Sequence, residues 1–323
     1  IRDGFHGLMS PEDYSDGGLI NLSRESVRGI SHLGGTIIGS TNKGNPTAYP
    51  VQQEDGTWVE VDRTHELLER FKEAGIDALV TVGGDGSLSI GNHLFQHGLR
   101  VVGVPKTIDN DLDKTHVTFG FDTAVDFATE CIDRLVSTAT SHNRVIVVEV
   151  MGRTKGWIAT YAGIAGGADA IIIPEHEYDI EEIVATLRRR HRKGIKYSIV
   201  VVAEGVAPPP GFEPVEQRKD AFGFDRLGGV GYAIAAAIEA RTGFESRVSV
   251  LGHVQRGGTP SAFDRVLATR LGVGAADFAI EGQSGVMAAL RSERIVAVPL
   301  SEAVDSIRGV PERLYETAQT FFG

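Results

Sequence analysis

With 323 residues, of which 41% are hydrophobic and 23% charged, the chain has the length and composition of a globular protein with one large domain or two ordinary ones. Its net charge of −11 argues against nonspecific binding to nucleic acids or anionic membranes, and no apolar run is long enough to span a bilayer. A single cysteine, Cys131, excludes an internal disulfide framework and indicates a cytoplasmic protein.

The first part of the chain predicts little regular structure, with a candidate short helix at 22–28 and a candidate strand and turn at 34–40. Strands and helices then alternate regularly. The predicted helices cover 64–75, 87–95, 121–139 and 179–193, and the predicted strands cover 77–82, 101–104, 144–150, 170–174 and 197–205. This alternation predicts an α/β fold of two Rossmann-like lobes, with parallel sheets flanked by helices and an active site at the carboxyl ends of the strands.

A glycine-rich segment, 83–87 (Gly-Gly-Asp-Gly-Ser), follows the predicted strand at 77–82. Glycines at this point let backbone N–H groups approach a phosphate, and a helix that begins near Ser87 adds the positive end of its dipole. Asp85 is a candidate ligand for the Mg²⁺ that accompanies such phosphates. By itself the motif also fits tight packing between a strand and a helix, which needs no ligand.

A polar turn, 105–111 (Pro-Lys-Thr-Ile-Asp-Asn-Asp), follows the predicted strand at 101–104. If the chain stays extended there, Asp109 and Asp111 project in the same direction. Two converging carboxylates suit proton abstraction together with the binding of a metal ion or another cation. The alternative is a plain polar turn, since Asp and Asn are common in turns.

Four motifs occur in a fixed order along the chain, at 83–87, 105–111, 149–153 (Glu-Val-Met-Gly-Arg) and 252–258 (Gly-His-Val-Gln-Arg-Gly-Gly). Together they resemble the 6-phosphofructokinase family, in particular its actinobacterial members. The similarity extends from Ile1 to the Phe-Phe-Gly ending. In the family, a first strand and a glycine-rich loop precede the segment that begins here at Ile1, and we expect the chain as given to lack them.

The resemblance implies catalytic roles for the residues of these motifs. Asp109 would be the base that takes the proton from the acceptor hydroxyl, assisted by Thr107 and Asp111. Lys106 would offset the charge that develops on the phosphoryl group, and Arg153 would act near the transferring group and the sugar.

Binding residues are implied in the same way. The phosphoryl-donor site would be formed by Gly84, Asp85, Gly86 and Ser87, with Asp85 as the Mg²⁺ ligand. The sugar-phosphate site would be formed by Arg144, Met151, Gly152, Glu204, Arg247, His253 and Arg256. Of these, Arg144 and Arg247 would reach it from a neighbouring subunit. Taken singly, an arginine at a strand start is more often a solvated surface residue, and His253 could be a core histidine.

The activity implied by the resemblance is phosphoryl transfer from ATP to the 1-hydroxyl of D-fructose 6-phosphate, which gives fructose 1,6-bisphosphate and ADP in glycolysis. The expected lobes are 1–120 with 255–305 for the donor, and 121–254 with 306–323 for fructose 6-phosphate. A homo-oligomer, dimer or tetramer, with sites shared between subunits is also implied, without nucleic acid or membrane partners. The alternatives are a non-catalytic sugar-phosphate-binding subunit and a kinase of a dinucleotide or lipid; the turn at 105–111 and the His253–Arg256 pair count against the latter.

Two positions disagree about the phosphoryl donor. Family members that use pyrophosphate typically carry Asp where this chain has Gly86 and Lys where it has Lys106. Members that use ATP typically carry Gly at the first position, and many carry Gly at the second. A carboxylate at position 86 would sit where the α-phosphate of ATP must lie, adding bulk and like-charge repulsion. Because Lys106 is compatible with either donor, the sequence favours ATP, with pyrophosphate as the alternative.

Overall fold

The computed structural model describes residues 1–41, 44–212 and 228–323. The strands, in chain order, are β1 (Tyr49–Gln52), β2 (Trp58–Val61), β3 (Leu79–Gly83), β4 (Val101–Thr107), β5 (Phe119–Gly120), β6 (Val145–Val150), β7 (Ala170–Ile172), β8 (Ser198–Ala203), β9 (Ser246–Val250), β10 (Val286–Arg291) and β11 (Arg294–Pro299). The helices are α1 (His6–Met9), α2 (Thr64–Glu73), α3 (Asp85–Gln96), α4 (Phe121–His142), α5 (Trp157–Ala165), α6 (Ile180–Arg192), α7 (Val230–Thr242), α8 (Ala262–Ile280), α9 (Leu300–Ala303) and α10 (Glu312–Gln319). Within the described ranges, every helix is too short or too polar to cross a membrane.

The chain divides into two compact units, each assembled from separate stretches. The first unit comprises Ile1–Lys106, Leu112–Val117 and Ala262–Ile307, and the second comprises Thr107–Asp111, Thr118–Ser261 and Arg308–Gly323. The stretch Thr107–Asp111 therefore groups with the second unit, although the sequence assigns it to the donor lobe. Hydrogen bonds explain this grouping, because Thr118 Oγ1 donates to Thr107 O at 2.8 Å and Arg308 N donates to Asp111 O at 2.7 Å.

The first unit is organised around a sheet in which the strands follow the order β11-β10-β4-β3. β4 pairs in parallel with β3 and with β10, and β10 pairs in antiparallel fashion with β11. Apolar side chains from the helices and strands form its core, among them Leu67, Phe71, Leu88, Leu94, Val101 and Met287. Gly83 of β3 pairs with Pro105 of β4, so the carboxyl ends of these two strands lie side by side at one edge of the sheet.

The second unit contains a parallel sheet with the strand order β7-β8-β6-β9. Every residue of β6 and β8 is buried, as expected for central parallel strands covered by helices on both faces. Val145, the first residue of β6, pairs with Ser198 of β8 and with Ser246 of β9. These strands therefore start together at one edge and end together at the other, which is the edge where an α/β sheet carries its ligands.

The predicted strands and helices between residues 64 and 205 are confirmed, with shifts of a few residues at the ends of elements, whereas α5 and the elements after residue 205 were not predicted. α3 begins at Asp85, two residues before the predicted start at Ser87, because Gly84 takes the N-cap position. The helix predicted at 22–28 is wrong, since the structure has turns there. Ser23 N donates to Ser26 Oγ and Ser26 N to Ser23 Oγ, and such local bonds compete with helical ones. The strand predicted at 34–40 is also wrong, because that part of the described chain forms turns and bends.

Candidate active site

A candidate phosphate site lies at the edge of the first unit's sheet. Gly84 occupies the N-cap of α3 in an extended conformation, and its residue type offers no side chain to cap the helix. Asp85 and Gly86 begin the helix, where backbone N–H groups lack intrahelical acceptors and the helix dipole favours an anion. Lys106 comes one residue after the last β3–β4 pair, so it lies at the same edge. The structure therefore brings the predicted donor residues and Lys106 together.

The surroundings of Gly86 and Asp85 fit a nucleotide phosphate and its magnesium ion. Gly86 is exposed, and a Cβ atom built on it meets no other atom within 4 Å. Asp85 is half-buried and supplies carboxylate oxygen, the ligand type that Mg²⁺ prefers. In the part of the chain that the structure describes, no group of three or more His, Cys, Asp or Glu side chains could hold a metal ion. Asp85 is a candidate ligand for a Mg²⁺ that would complete its shell with phosphate oxygens and water.

Thr107 holds the candidate base, Asp109, in the second unit. Asp109 N donates to Thr107 Oγ1 at 3.1 Å, and the same hydroxyl donates to Asp109 Oδ2 at 3.2 Å. Asn110 has a φ angle of 54°, so the chain is not extended between the two aspartates. The premise of an extended chain, from which a common direction of Asp109 and Asp111 was expected, is therefore wrong. Asp109 is half-buried, whereas Asp111 is only 3% exposed.

Contacts from distant parts of the second unit hold this turn. Asn110 Oδ1 accepts a hydrogen bond from Thr118 N at 3.0 Å, and Asn110 O accepts one from Arg308 Nη2 at 3.0 Å. The Arg308 guanidinium lies over the ring of Trp157, 4.6 Å from its centroid. Sequence reasoning missed Thr118 and Arg308 as partners of the turn; Arg308 is 198 residues from Asn110, and no local pattern marks it.

Apart from Arg144 and Arg247, the predicted residues of the sugar site lie at the carboxyl edge of the second unit's sheet. Met151, Gly152 and Arg153 follow β6, and Glu204 follows β8. Arg153 N donates to Glu204 Oε1 at 3.0 Å, and Glu204 N donates to Val150 O at 2.9 Å. The backbone bonds therefore fix the Glu204 carboxylate beside the segment that carries Arg153.

His253 and Arg256 extend the same edge. They lie in a 3₁₀ turn, Gly252–Arg256, that directly follows β9. Leu251 N donates to Glu149 O at 3.0 Å, which ties the start of this turn to β6. Both side chains are exposed, so His253 is not a core histidine, and an arginine in this position can bind a phosphate through parallel N–H donors.

Arg144 and Arg247 lie at the opposite edge of that sheet. Arg144 precedes the first residue of β6, and Arg247 pairs with Ile146 near the start of the same strand. Both arginines form ion pairs with Glu245, and the Arg144 Nη2–Glu245 Oε1 distance is 2.9 Å. Because six strand residues span about 20 Å, the structure does not bring these two arginines to the Glu204 edge of their own subunit.

The carboxyl group of Glu204 has a perturbed proton affinity. Burial raises its pKa above the ordinary value, and the nearby charges of Asp109 and Glu149 raise it further. The backbone N–H groups of Arg153 and Gly152 lower the pKa, because they donate hydrogen bonds to the carboxylate. The charge of Asp109 raises the pKa of Glu204, so these two predicted site residues share one electrostatic environment in the second unit.

Known proteins resemble this chain over its whole length. The sequence model of the family described as Phosphofructokinase matches residues 1–279. A Mycobacterium bovis protein named ATP-dependent 6-phosphofructokinase is 50% identical over 324 residues, which cover 100% of this chain and 90% of that protein. An Amycolatopsis methanolica protein named pyrophosphate--fructose 6-phosphate 1-phosphotransferase is 49% identical, over 100% of this chain and 89% of that protein.

Similarity in structure extends to eukaryotic proteins. The solved structure of Pichia pastoris phosphofructokinase is matched with a TM-score of 0.76 and 29% sequence identity. The match covers 99% of this chain but only 32% of the yeast chain, so the present sequence spans about a third of that protein.

The raised pKa of Glu204 predicts a pH-dependent stability. The folded state binds the Glu204 proton more tightly than the unfolded state, so this group makes the fold less stable as the pH rises through the window between the two pKa values. Glu204→Gln removes that effect. We therefore expect a higher Tm than the wild type near pH 7 and no difference below about pH 4, where the carboxyl is protonated in both states.

Thermal unfolding measured across that pH range checks the expectation. Glu302→Gln, at an exposed position on α9, is a control for removal of one negative charge. A Tm difference between Glu204→Gln and the wild type that stays constant with pH would contradict the raised pKa of Glu204.

Proposed function

Because the chain belongs to the phosphofructokinase family, we propose that it transfers the terminal phosphoryl group of ATP to the 1-hydroxyl of fructose 6-phosphate. The products are fructose 1,6-bisphosphate and ADP, as in glycolysis. The observation that carries the proposal is the Asp109 turn, in which a candidate base is held by Thr107 in the same unit as the Glu204 edge. The first unit adds a glycine-led helix start with Lys106 at the same sheet edge, which suits the donor phosphates.

Asp109 is the proposed general base. Phosphoryl transfer depends mainly on positioning and on stabilising charge, so a base held in one orientation is what the acceptor hydroxyl requires. The two hydrogen bonds with Thr107 supply that orientation. As the new bond to phosphorus forms, the 1-hydroxyl proton passes to the Asp109 carboxylate. Asp111 is proposed to support the turn, and Lys106 to balance negative charge on the transferring group.

The residues at the Glu204 edge are proposed to bind fructose 6-phosphate. Glu204 would accept hydrogen bonds from sugar hydroxyls, and Arg153 would lie near the transferring group, with Met151 and Gly152 lining the sugar. His253 and Arg256 would bind the 6-phosphate, since both are exposed donors in one short turn. A local cationic cluster is needed because the net charge of −11 repels an anionic substrate.

The first turn of α3 is proposed to bind the donor phosphates through Gly84, Asp85, Gly86 and Ser87. Asp85 would hold the Mg²⁺, which neutralises charge on the phosphates when it is bound. The lack of a side chain at Gly86 favours ATP, because a carboxylate at this position would meet the α-phosphate of ATP with added bulk and like charge. Pyrophosphate is the second candidate donor, favoured by Lys106 and by relatives of that name at 47% and 49% identity.

Arg144 and Arg247 are proposed to serve the site of a neighbouring subunit in a homo-oligomer. Their position at the edge away from Glu204 leaves them unsuited to their own subunit's sugar site. A cytoplasmic location is also proposed, on the ground of a single cysteine and of substrates that are metabolites.

Asp109→Asn tests the base. We expect kcat to fall by at least ~10²-fold while binding of fructose 6-phosphate is nearly intact, because only the proton acceptor is lost. Steady-state kinetics and calorimetric titration with fructose 6-phosphate measure the two effects. Asp133→Asn, at an exposed position on α4, is the control. A variant that keeps more than half of the wild-type kcat would show that another group is the base.

A complementation experiment tests the shared site. Arg247→Ala chains and Asp109→Asn chains are expected to be inactive separately. After subunit exchange, hybrids are expected to regain part of the activity, because some sites then receive an intact Asp109 and an intact Arg247. Mass spectrometry of the mixed oligomers confirms exchange. If confirmed hybrids regain no activity, the proposal that active sites are shared between subunits is contradicted.

The donor is tested by measuring kcat/KM with Mg-ATP and with Mg-pyrophosphate on one preparation, and we expect the higher value with ATP. Gly86→Asp is expected to lower kcat/KM for ATP by ~10²-fold or more, since the added carboxylate meets an anionic phosphate. The substitution fits the protein itself, because a Cβ at Gly86 has open space around it.

Gly272→Asp is the matched control, since position 272 is also an exposed helical glycine with open space. If pyrophosphate gives the higher kcat/KM, or if ATP use is indifferent to Gly86→Asp, the account of donor choice is wrong.

A further inference from the structure

We infer that Arg308 is a positioning residue for phosphoryl transfer, because it holds the turn that carries Asp109. The inference rests on the proposed function, in which Asp109 is the base. Arg308 lies far from the four motifs in sequence, between α9 and α10. It reaches the turn from the far end of the chain through both its backbone and its side chain.

Arg308 forms hydrogen bonds with the two residues that follow Asp109. Arg308 Nη2 donates to Asn110 O at 3.0 Å, and Arg308 N donates to Asp111 O at 2.7 Å. Two consecutive carbonyl groups of the turn are therefore tied to one arginine. A hydrogen bond from a charged donor is stronger than one between neutral groups, so the guanidinium contact is the more valuable of the two.

The backbone at Asn110 lies in the left-handed region, with a φ angle of 54°, which asparagine adopts more readily than most non-glycine residues do. Two contacts hold Asn110 in this turn: Thr118 N donates to Asn110 Oδ1, and Arg308 binds Asn110 O. Since Asp109 is the preceding residue, relaxation of Asn110 would rotate the peptide that links it to the base.

Arg308 is itself fixed by a rigid neighbour. Its guanidinium stacks over the Trp157 ring at 4.6 Å, and Trp157 Nε1 donates to Arg308 O at 2.9 Å. Trp157 is 4% exposed and begins α5, whose N-cap residue Gly156 donates to the carboxylate of Glu175. Glu175 Oε1 also accepts from Val310 N at 3.0 Å. The arginine is thus held on both sides of its backbone and along its side chain.

Arginine suits this task better than lysine does. A planar guanidinium can stack on an indole ring and donate in its own plane at the same time, whereas an ammonium group is a point charge on a flexible chain. The alternative is that Arg308 only attaches the C-terminal stretch to the second unit. The two explanations differ in which kinetic constant depends on Arg308.

The experiment compares Arg308→Met, Arg308→Lys and the wild type by steady-state kinetics with fructose 6-phosphate and each donor. We expect Arg308→Met to lower kcat by about 10- to 100-fold, because a small misplacement of a catalytic group has an effect of that size. KM for fructose 6-phosphate is expected to change by less than about 3-fold, since a positioning defect acts on the chemical step. Arg308→Lys is expected to retain more kcat than Arg308→Met. Arg313→Met, at an exposed position on α10, is the control.

Hydrogen exchange of the peptide that spans 107–121 gives a readout independent of activity. We expect faster exchange there in Arg308→Met, because the Thr118 amide loses a fixed acceptor when Asn110 relaxes. Unchanged exchange, or a kcat within 2-fold of the wild type, would overturn the inference. So would a loss of activity in which kcat and KM change together and Arg308→Lys gives no rescue.

Failure of the proposed function has a different signature. A wild-type protein that phosphorylates fructose 6-phosphate with neither donor would refute the proposed function and remove the catalytic part of the inference. Hydrogen exchange would then still decide whether Arg308 holds the turn in place. Where Arg308→Met folds poorly, Arg308→Lys with the same two readouts decides the matter, because it keeps the charge and most of the side-chain length.

Discussion

The N–H groups at the start of a helix must find acceptors outside the helix, and this requirement shapes the sites of both units. At α7, the buried carboxylate of Glu149 accepts from Gly229 N at 2.7 Å and from Gly231 N at 2.8 Å. At α5, Glu175 accepts from Gly156 N at 3.0 Å. The N-cap of α3, Gly84, is likewise a glycine without a side-chain cap, and the start of such a helix favours an anion.

The chain holds two of its buried carboxylates in different ways. Glu149 accepts hydrogen bonds from backbone N–H groups at the start of α7, whereas Asp169 forms an ion pair with Arg190. At the carboxyl edge of the same sheet, His253 and Arg256 are exposed. Glu149 O also receives the N–H of Leu251, so the residue that anchors α7 fixes the start of the cationic turn as well.

Local chemistry was enough to predict strands and helices between residues 64 and 205, but not the turns at 22–28 and 34–40. β6 and β8 are near-continuous apolar runs, and the glycines before α3 mark its start. The contact between Asn110 and Arg308 was not predictable, because the two residues are 198 positions apart. Likewise, the grouping of Arg144 and Arg247 away from Glu204 follows from strand register, which a single strand's sequence does not state. The resemblance of the motifs implied roles for the site residues, but it did not indicate which other residues hold them in place.

The interleaving of the two units has a consequence for synthesis on the ribosome. The chain passes from one unit to the other at 106/107, 111/112, 117/118, 261/262 and 307/308. β10 and β11 are synthesised after the whole of β6–β9. β4 can therefore pair with β10, one of its two long neighbours, only after some 180 further residues have been made. During that interval the part of β4 that pairs with β10 in the folded protein lacks its partner strand, and an unpaired edge of apolar residues is prone to aggregate.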